Sequence, residues 1–474
     1  MPVERAAKGR LFETVETERE RLEDLARWLW ENPELALRET AASERLRAVL
    51  EEAGFDVETG VGGIETAFVA SYGEGSPVVG TMGEFDALPG LSQRAVAERD
   101  PVEPGAPGHG CGHNLFGVGS LGGALAVKEA IARGDVEGTI RYYGTPAEEA
   151  IGGKVYMVRD GAFDGTDAVV SWHPGWYNAP GKGSCLAVDS LEIGFEGTSS
   201  HAAAAPEAGR SALDAAQLCN LGVEFMREHV PDEARIHYVL PEGGDAANVV
   251  PASAAAEYSI RAPDREGVEG LTDWITDIAE AAARMARVDV CITRTAGYHD
   301  LVPSEILGNA IAENMDHLDA MTFDDEQLAL AGDLCESLGD VADAIAEIPA
   351  DHRDAAAESA MYTDPVNAPD AGDVGMYSTD SGDVSWQVPL GRFTAATWPV
   401  GTPAHSWQAV AAGRDLGIEG ALYASKVIAA TLCDLLADEE LLDEAHAEFE
   451  RRTVGQEYES PLAADANPYD LITR

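Results

Sequence analysis

The chain has 474 residues, with 84 acidic and 32 basic side chains and a formal net charge of −52. This length fits two or three domains, and the 45% hydrophobic content is typical of globular rather than disordered proteins. So negative a chain is excluded as a nucleic-acid binder, because contacts with phosphates need basic side chains.

The acidic residues are spread along the whole chain rather than collected in one tail. An acidic surface for cations or basic partners is one interpretation. The other is an enzyme of an extreme halophile, since concentrated salt screens the repulsion between like charges. The even spread favours the second.

We expect a cytoplasmic protein with no membrane partner. The first 30 residues are charged and amphipathic and lack the apolar core of a signal peptide. No stretch approaches the roughly 20 apolar residues of a membrane span. The six cysteines lack paired spacing, as expected in a reducing compartment.

Helices and strands alternate in the first part of the chain. Helical spacing over residues 17–54 precedes strand-like runs at 64–72 and 77–85. A glycine-rich loop, a helix from about Asn114 and two further strands, the second ending in SWHPG, complete the pattern. The alternation predicts an α/β domain with a mostly parallel central sheet, in which reactive groups gather where strands end.

The pattern changes between residues 187 and 302, where the order reads βαββαβ, that of a split ferredoxin-like unit. We therefore predict a first catalytic part at 1–186, an inserted domain at 187–302 and a second catalytic part at 303–474. The segment 313–372 is acidic, rich in alanine and mostly helical in pattern. Its role is open.

Two motifs in the first part carry potential metal ligands. GEFDALPG (83–90) sets Glu84 and Asp86 two residues apart at a strand end, so that both side chains point the same way. GHGCGHN (108–114) offers Cys111 and His113, a soft and a borderline ligand, within a glycine-rich loop. The alternatives are an acidic turn and a glycine-rich turn with an incidental buried cysteine.

TPAEEA (145–150) contains the adjacent Glu148 and Glu149 at a strand-to-helix corner. Adjacent side chains diverge, so one can bind metal while the other accepts a proton from water, as metal-assisted hydrolysis requires. His173 in SWHPG and His405 in TPAHSW each follow an apolar run. Taken singly, the glutamate pair and each histidine are more typical of surface or structural residues.

In their order along the chain, these motifs resemble those of the metallopeptidase-type amidohydrolases. This family includes aminoacylases, hippurate hydrolases and hydrolases of indoleacetyl-amino-acid conjugates. The resemblance covers about residues 20–435, and DALPGLSQ, GHGCGHN and STDSGDVSW are most similar to aminobenzoyl-glutamate hydrolases. It implies a two-metal peptidase-like catalytic domain with an inserted lid or dimerisation domain, two Zn or Mn ions, and a homodimer or larger oligomer.

The resemblance also implies roles for individual residues. The implied metal ligands are Cys111, His113, Glu149, His173 and His405. Glu148 would be the general base, and Asp86 would orient a ligand. Two positions depart from the family pattern: Asn114 stands where many relatives have Asp, and Glu84 stands where they often have Asp.

Three residues of the inserted domain match or suggest a substrate role. His201 and Asn248 correspond to family positions that reach the active site, often from a partner protomer. There, His201 and Asn248 would stabilise the oxyanion that forms as water adds to the carbonyl. Arg261 would pair with a substrate carboxylate, or else is a surface arginine at the end of a strand.

The expected function is metal-dependent cleavage of the amide bond of an N-acyl amino acid or an aminobenzoyl-glutamate-type substrate. The alternatives are a dipeptidase or carboxypeptidase of the same family, a non-catalytic subunit, and a binding or transport protein for acidic metabolites. Sequence alone leaves the amide, the metal and the role of Glu84 open.

Overall fold

The computed structural model describes residues 5–366 and 373–471. Its α-helices are α1 (Arg5–Thr17), α2 (Arg19–Glu31), α3 (Thr40–Glu52), α4 (His113–Arg133), α5 (Gly153–Arg159), α6 (Ala212–Met226), α7 (Arg265–Ala286), α8 (Glu305–Met315), α9 (Asp325–Leu338), α10 (Ala342–Ala346), α11 (Ala350–Ala357), α12 (Ser381–Ser385), α13 (Trp407–Ala412), α14 (Ile418–Ala437) and α15 (Glu439–Thr453). Short 3-10 helices occupy Val61–Gly63, Pro206–Ala208, Arg227–His229 and Pro468–Leu471.

Three sheets contain the strands of the described residues. The strands are β1 (Asp56–Thr59), β2 (Phe68–Glu74), β3 (Val78–Gly83), β4 (Gly138–Gly144), β5 (Ala168–Gly175), β6 (Ala179–Gly181), β7 (Ser184–Cys185), β8 (Ala187–Glu196), β9 (Arg235–Glu242), β10 (Ser253–Ala262), β11 (Asp289–Tyr298), β12 (Val374–Gly375) and β13 (Leu390–Ala396). Strands β7 and β12 form a two-stranded parallel sheet.

The largest sheet has seven strands in the order β1-β2-β4-β3-β5-β13-β6. Its central pairs β4-β3, β3-β5 and β5-β13 are parallel. The outer pairs β1-β2, β2-β4 and β13-β6 are antiparallel. The predicted mostly parallel sheet is therefore wrong for the outer strands, since β1, β2 and β6 each run antiparallel to the strand they pair with. The sheet is mixed, with a parallel centre.

Alternate residues of this sheet face two different cores. Trp172 and Phe393 pack, with helices α1–α4 and α14, into one core, and their rings lie 6.4 Å apart. Val169 and Leu390 face the other core, which includes α5. The period-two alternation of strand side chains separates the two sets. His173 is an even number of residues from Val169 on β5, so it lies on the same face of the sheet as Val169 and Leu390.

Helices α4 and α14 pack closely in the first core. A Cβ added at Gly123 would lie 2.6 Å from Ile428 Cγ2, so only glycine permits this approach. The expectation that no segment reaches membrane-spanning length is wrong by length and composition for these two helices. Both are core helices, however, with 78% and 89% of their apolar windows buried.

The inserted region has the predicted order β8-α6-β9-β10-α7-β11, and its sheet order is β11-β8-β10-β9. All three of its strand pairs are antiparallel. Helix α7 begins where Asp264 accepts a hydrogen bond from the Gly267 N–H. The division of the chain at 186/187 and 302/303 stays a prediction.

The acidic segment is helical at α9, α10 and α11, as its pattern indicates. Asp324 and Gln327 form a reciprocal capping box at the start of α9. Residues 367–372 at the end of the segment lie outside the described residues.

Candidate active site

The predicted site residues meet at the carboxyl edge of the parallel strands. Glu84 and Asp86 follow β3, Glu148 and Glu149 follow β4, and His173 lies near the end of β5. Strands β3 and β4 end in register, with Gly83 opposite Gly144. Because the strands are parallel and adjacent, the segments after them meet at one edge of the sheet.

His113 lies at the centre of the cluster and has no solvent exposure. Its Nδ1 lies 2.9 Å from Asp86 Oδ1. The carboxylate accepts this hydrogen bond, so Nδ1 carries a proton and Nε2 is the nitrogen left to face a metal. The second oxygen of Asp86 accepts the backbone N–H of Glu149 at 2.9 Å. Asp86 therefore orients both His113 and the Glu149 backbone.

The ring of His173 is fixed in the same tautomer. Its Nδ1 lies 2.8 Å from the carbonyl oxygen of Pro174, which can only accept, so Nδ1 donates. Its Nε2 lies 3.4 Å from Cys111 Sγ. Burial lowers the pKa of His173 to about 4. A neutral imidazole with a free Nε2 is the form that binds metal.

The thiol of Cys111 is common to two groups of candidate metal ligands. One group is Cys111, His113 and His173, and the other is Cys111, Glu149 and His405. Within each group, one ligand atom from each residue lies within 4.8 Å of the others. Burial raises the pKa of this thiol, which is inert as a ligand until a cation displaces its proton.

Two buried atoms of the cluster lack a hydrogen-bond partner among the described residues. They are His113 Nε2 and Glu149 Oε1. His113 Nε2 lies 2.9 Å from Glu84 Oε2, and Glu149 Oε1 lies 3.3 Å from His405 Nε2, but neither approach has hydrogen-bond geometry. Buried nitrogen and oxygen atoms that lack a hydrogen-bond partner and converge with a thiol and a second imidazole fit divalent cations.

The two adjacent glutamates differ in environment. Burial and the charges of Glu84, Asp380 and Glu149 raise the pKa of Glu148 well above its usual range. Burial also acts to raise the pKa of Glu149, but contacts with His405 and His113 lower it overall. Glu149 is therefore the readily ionised member of the pair, and Glu148 is the one that holds a proton more strongly.

Two residues at the site have backbone conformations that favour glycine. Ala147, directly before the glutamate pair, has φ +62°, and His405 has φ +61°. The N–H of His405 donates to the Gly110 carbonyl at 2.8 Å, which joins its loop to the glycine-rich loop. Such strained residues persist where the surrounding structure holds them, and they cluster at functional sites.

A cavity of about 1000 Å³ opens onto the cluster. The predicted site residues that line it are Cys111, Glu148, Glu149, His173, His405 and Arg261. His201 and Asn248 are exposed and are not among the lining residues. Of the three substrate residues predicted in the inserted domain, therefore, only Arg261 reaches the cavity within one chain.

Sequence reasoning missed a buried ion cluster beside the site. Lys154 Nζ lies 2.6 Å from both Glu84 Oε1 and Asp380 Oδ1, and all three side chains are buried. The signal was available, since the chain has only five lysines and Lys154 closely follows the glutamate pair.

Asn114, which departs from the family pattern, forms no side-chain hydrogen bond with the candidate ligands. Its side-chain amide donates to the carbonyl of Gly413 at 3.0 Å. Asn114 therefore anchors the start of α4 to the segment at Gly413 and is not one of the candidate ligands.

Several known proteins are similar to this chain in sequence. Residues 188–286 match the family model for the peptidase dimerisation domain. The chain is 38% identical to one of the two named subunits of the p-aminobenzoyl-glutamate hydrolase of Escherichia coli over 477 residues, covering 97% of this chain and 98% of that one. It is 33% identical to the Xaa-Arg dipeptidase of Mus musculus over 340 residues, covering 69% and 74%.

Two solved structures share the fold. One is the Bacillus subtilis protein YXEP, a dinuclear metal-binding peptidase from the M20 family, with a TM-score of 0.57, 18% identity, and coverage of 89% of this chain and 99% of that one. The other is the aminobenzoyl-glutamate utilization protein of Klebsiella pneumoniae, with a TM-score of 0.57, 17% identity, and coverage of 86% and 98%.

Proposed function

Because the chain belongs to the M20 peptidase family, we propose that this amidohydrolase cleaves aminobenzoyl-glutamate or a related N-acyl amino acid, with two divalent cations and Glu148 as general base. The main support for metal dependence is one observation. Two groups of candidate metal ligands share Cys111, which lines the same cavity as Glu148. The 38% identity over nearly the whole chain supports the substrate class.

Cys111 would be shared between the two cations. His113 and His173 would hold one of them, and Glu149 and His405 the other. The thiolate favours zinc by its softness, and manganese is the alternative. When bound, the cations would lower the pKa of a water molecule and polarise the amide carbonyl.

The residues of the chain would carry the proton. Glu148 belongs to neither group that shares Cys111 but lies with Glu84 and His113 in a third group of candidate ligands. With the cations in the two groups that share the thiol, its carboxylate would accept a proton from the attacking water. Once the tetrahedral adduct forms, Glu148 would return that proton to the leaving amine nitrogen. Asp86 would keep His113 in its Nδ1–H tautomer throughout.

The oxyanion would be stabilised by His201 of a second copy of this chain. His201 Nδ1 accepts the N–H groups of Ala203 and Ala204, so the proton is on the exposed Nε2, which can donate. Helix α6 also exposes Leu221 and Phe225, by 51% and 63%, one turn apart. Together with the match to a dimerisation domain, this apolar face supports a homodimer.

Similarity to individual relatives supports two alternative functions for this chain. The similarity to Xaa-Arg dipeptidases favours a dipeptidase as the second candidate. The hydrolase relative from Escherichia coli is one named subunit of its enzyme, and the other named subunit also matches, at 29% identity over 238 residues. A non-catalytic subunit that requires such a partner is the third candidate, although it would have no need for the complete ligand set.

An assay on a panel of substrates, combined with metal analysis, distinguishes these functions. The chain, purified alone in concentrated salt as its acidic composition requires, would be given Zn or Mn. It would then be tested on aminobenzoyl-glutamate, benzoyl-glycine and an Xaa-Arg dipeptide. Turnover of the acylated substrates above the dipeptide supports the proposal. Preference for the dipeptide indicates the second candidate, and two bound metals without any turnover indicate the third.

A cytoplasmic location in a halophilic cell is part of the same proposal. It rests on the 84 acidic side chains spread over the chain and on free cysteines at all six positions.

A further inference from the structure

Arg392 is a cationic side chain in the active-site cavity that the proposed mechanism does not use. It lies on β13, opposite Ser171 of β5 and Gly181 of β6. Two residues further along, Thr394 pairs with His173. Side chains two apart on a strand point to the same face, about 7 Å apart along the strand. Arg392 therefore shares the cavity face with His173.

The guanidinium group is held in place but is not neutralised. It lies 5.8 Å from the ring centroid of Tyr377, and its Nη1 donates to Tyr377 Oη at 3.2 Å. Among the residues that the structure describes, no carboxylate lies within 4.0 Å of its nitrogens. Arginine has five N–H donors, so most of its hydrogen-bonding capacity is open to a ligand.

The lack of an acidic partner for Arg392 in the described part of the molecule is unexpected in a chain of this composition. Acidic side chains outnumber basic ones by 84 to 32, and ion pairs hold many of the arginines, such as Arg265 with Asp189. Four acidic residues line the same cavity, since Glu347 and Asp373 add to Glu148 and Glu149. A partly buried cation without a counter-ion, in a cavity of so acidic a protein, is suited to an anionic ligand.

We propose that Arg392, positioned by Tyr377, binds a second carboxylate of the substrate, so that the enzyme selects acylated dicarboxylic amino acids. Arg261, which lines the same cavity, would take the other carboxylate. This inference rests on the proposed function and narrows its substrate class. A planar guanidinium can bind a carboxylate through two parallel hydrogen bonds, which a lysine in its place cannot reproduce.

The test compares two substrates of nearly equal shape, aminobenzoyl-glutamate and aminobenzoyl-glutamine, which differ by one negative charge. Arg392→Met should lower kcat/KM for the glutamate substrate by about 10- to 100-fold, because a charge-assisted contact is lost. The loss should appear mainly in KM, and kcat/KM for the glutamine substrate should change by less than about threefold. Arg392→Lys should recover only part of the loss.

Arg99→Met is the matched control, since Arg99 is exposed and is not among the lining residues. It should leave both substrates unaffected. An equal loss on both substrates in Arg392→Met, or no loss on either, would overturn the subsite.

A binding measurement separates failure of the subsite from failure of the proposed function. Glutamate and glutamine would be titrated calorimetrically into the metal-loaded wild type and into Arg392→Met. Tighter binding of glutamate that disappears in Arg392→Met supports the subsite even if no amide is hydrolysed, in which case only the proposed function fails. Hydrolysis without any preference for glutamate over glutamine overturns the subsite and leaves the proposed function standing.

Discussion

Lys154 Nζ lies 2.6 Å from Glu84 Oε1, and neither side chain is more than 2% exposed. Glu84 Oε2 in turn lies 2.9 Å from His113 Nε2. The lysine also contacts Asp380 at 2.6 Å. A cation at this place balances two buried carboxylates directly beside the candidate metal ligands, and it holds one of them against a ligand imidazole.

Replacing Lys154 with Met should leave Glu84 and Asp380 buried without a counter-ion. We expect the free energy of unfolding to fall by about 3–5 kcal/mol, the usual cost of removing one partner from a buried ion pair. Lys128→Met removes a lysine that pairs with the partly exposed Glu129 and should cost at most about 1 kcal/mol. Denaturant unfolding in concentrated salt measures both. Equal effects of the two substitutions would contradict the structural role of Lys154.

The shared thiol predicts an unequal loss of metal among ligand variants. Cys111→Ala removes a ligand from both groups, whereas His405→Ala removes a ligand from one. The first variant should lose most of both cations, and the second should retain about one per chain. Metal analysis after dialysis measures the stoichiometry. Cys291→Ala is the control, since Cys291 is exposed and belongs to neither group. Equal retention in Cys111→Ala and His405→Ala would argue against a shared ligand.

If His201 of one chain acts in the active site of a second copy, two inactive variants should restore activity to each other when they are mixed. His201→Ala keeps Glu148, and Glu148→Gln keeps His201, so a mixed dimer has one complete site. Random mixing should restore about a quarter of the wild-type activity, because half the dimers are mixed and each has one working site. Activity is measured after the two variants are dissociated and reassembled together. Leu221→Glu with Phe225→Glu should prevent the recovery. No recovery from mixtures shown to contain mixed dimers would place His201 outside the active site.

Asp383 predicts a specific dependence of stability on pH. It is fully buried and accepts hydrogen bonds from the His299 N–H and the Tyr458 hydroxyl. Burial raises the pKa of Asp383 from 3.8 to about 7. The folded state then binds the proton more tightly than the unfolded state. The stabilisation from that proton is therefore complete below pH 4 and is lost as the pH rises to about 7.

Asp383→Asn keeps an acceptor for His299 but cannot titrate. Its unfolding free energy should fall less than that of the wild type between pH 4 and pH 7, with a difference of up to about 4 kcal/mol. Denaturant unfolding at several pH values in constant salt provides the comparison, and Asp214→Asn on the exposed surface of α6 serves as control. Parallel pH profiles for wild type and Asp383→Asn would show that the buried carboxyl does not titrate in this range.

Much of the site was predictable because it lies on local motifs. Cys111 and His113 share one glycine-rich loop, and Glu148 and Glu149 share one strand end, so sequence spacing alone brings each pair together. The βαββαβ order of the inserted region followed from its hydrophobic periodicity. The antiparallel edges of the central sheet did not, since the direction of a short edge strand depends on the chain path and not on its own residues.

Long-range partners were the part that sequence could not provide. Asp380 is 226 residues from Lys154, and nothing in the spacing of either motif predicts their contact. The sequence likewise could not show that the guanidinium of Arg392 lacks an acidic partner among the residues described. An arginine in a strand gives the same sequence pattern with or without a carboxylate beside it. His201 matched a family position, yet one chain alone leaves it outside the cavity.

The most direct test of the central claim is the activity of Glu148→Gln at full metal occupancy. The substitution removes the proton acceptor but none of the residues in the two groups that share Cys111. We predict two cations per chain, as in the wild type, with kcat on aminobenzoyl-glutamate lower by at least about 10²- to 10⁴-fold. Glu44→Gln, on the exposed surface of α3, should match the wild type in both respects. Wild-type turnover in a metal-loaded Glu148→Gln enzyme would contradict the account.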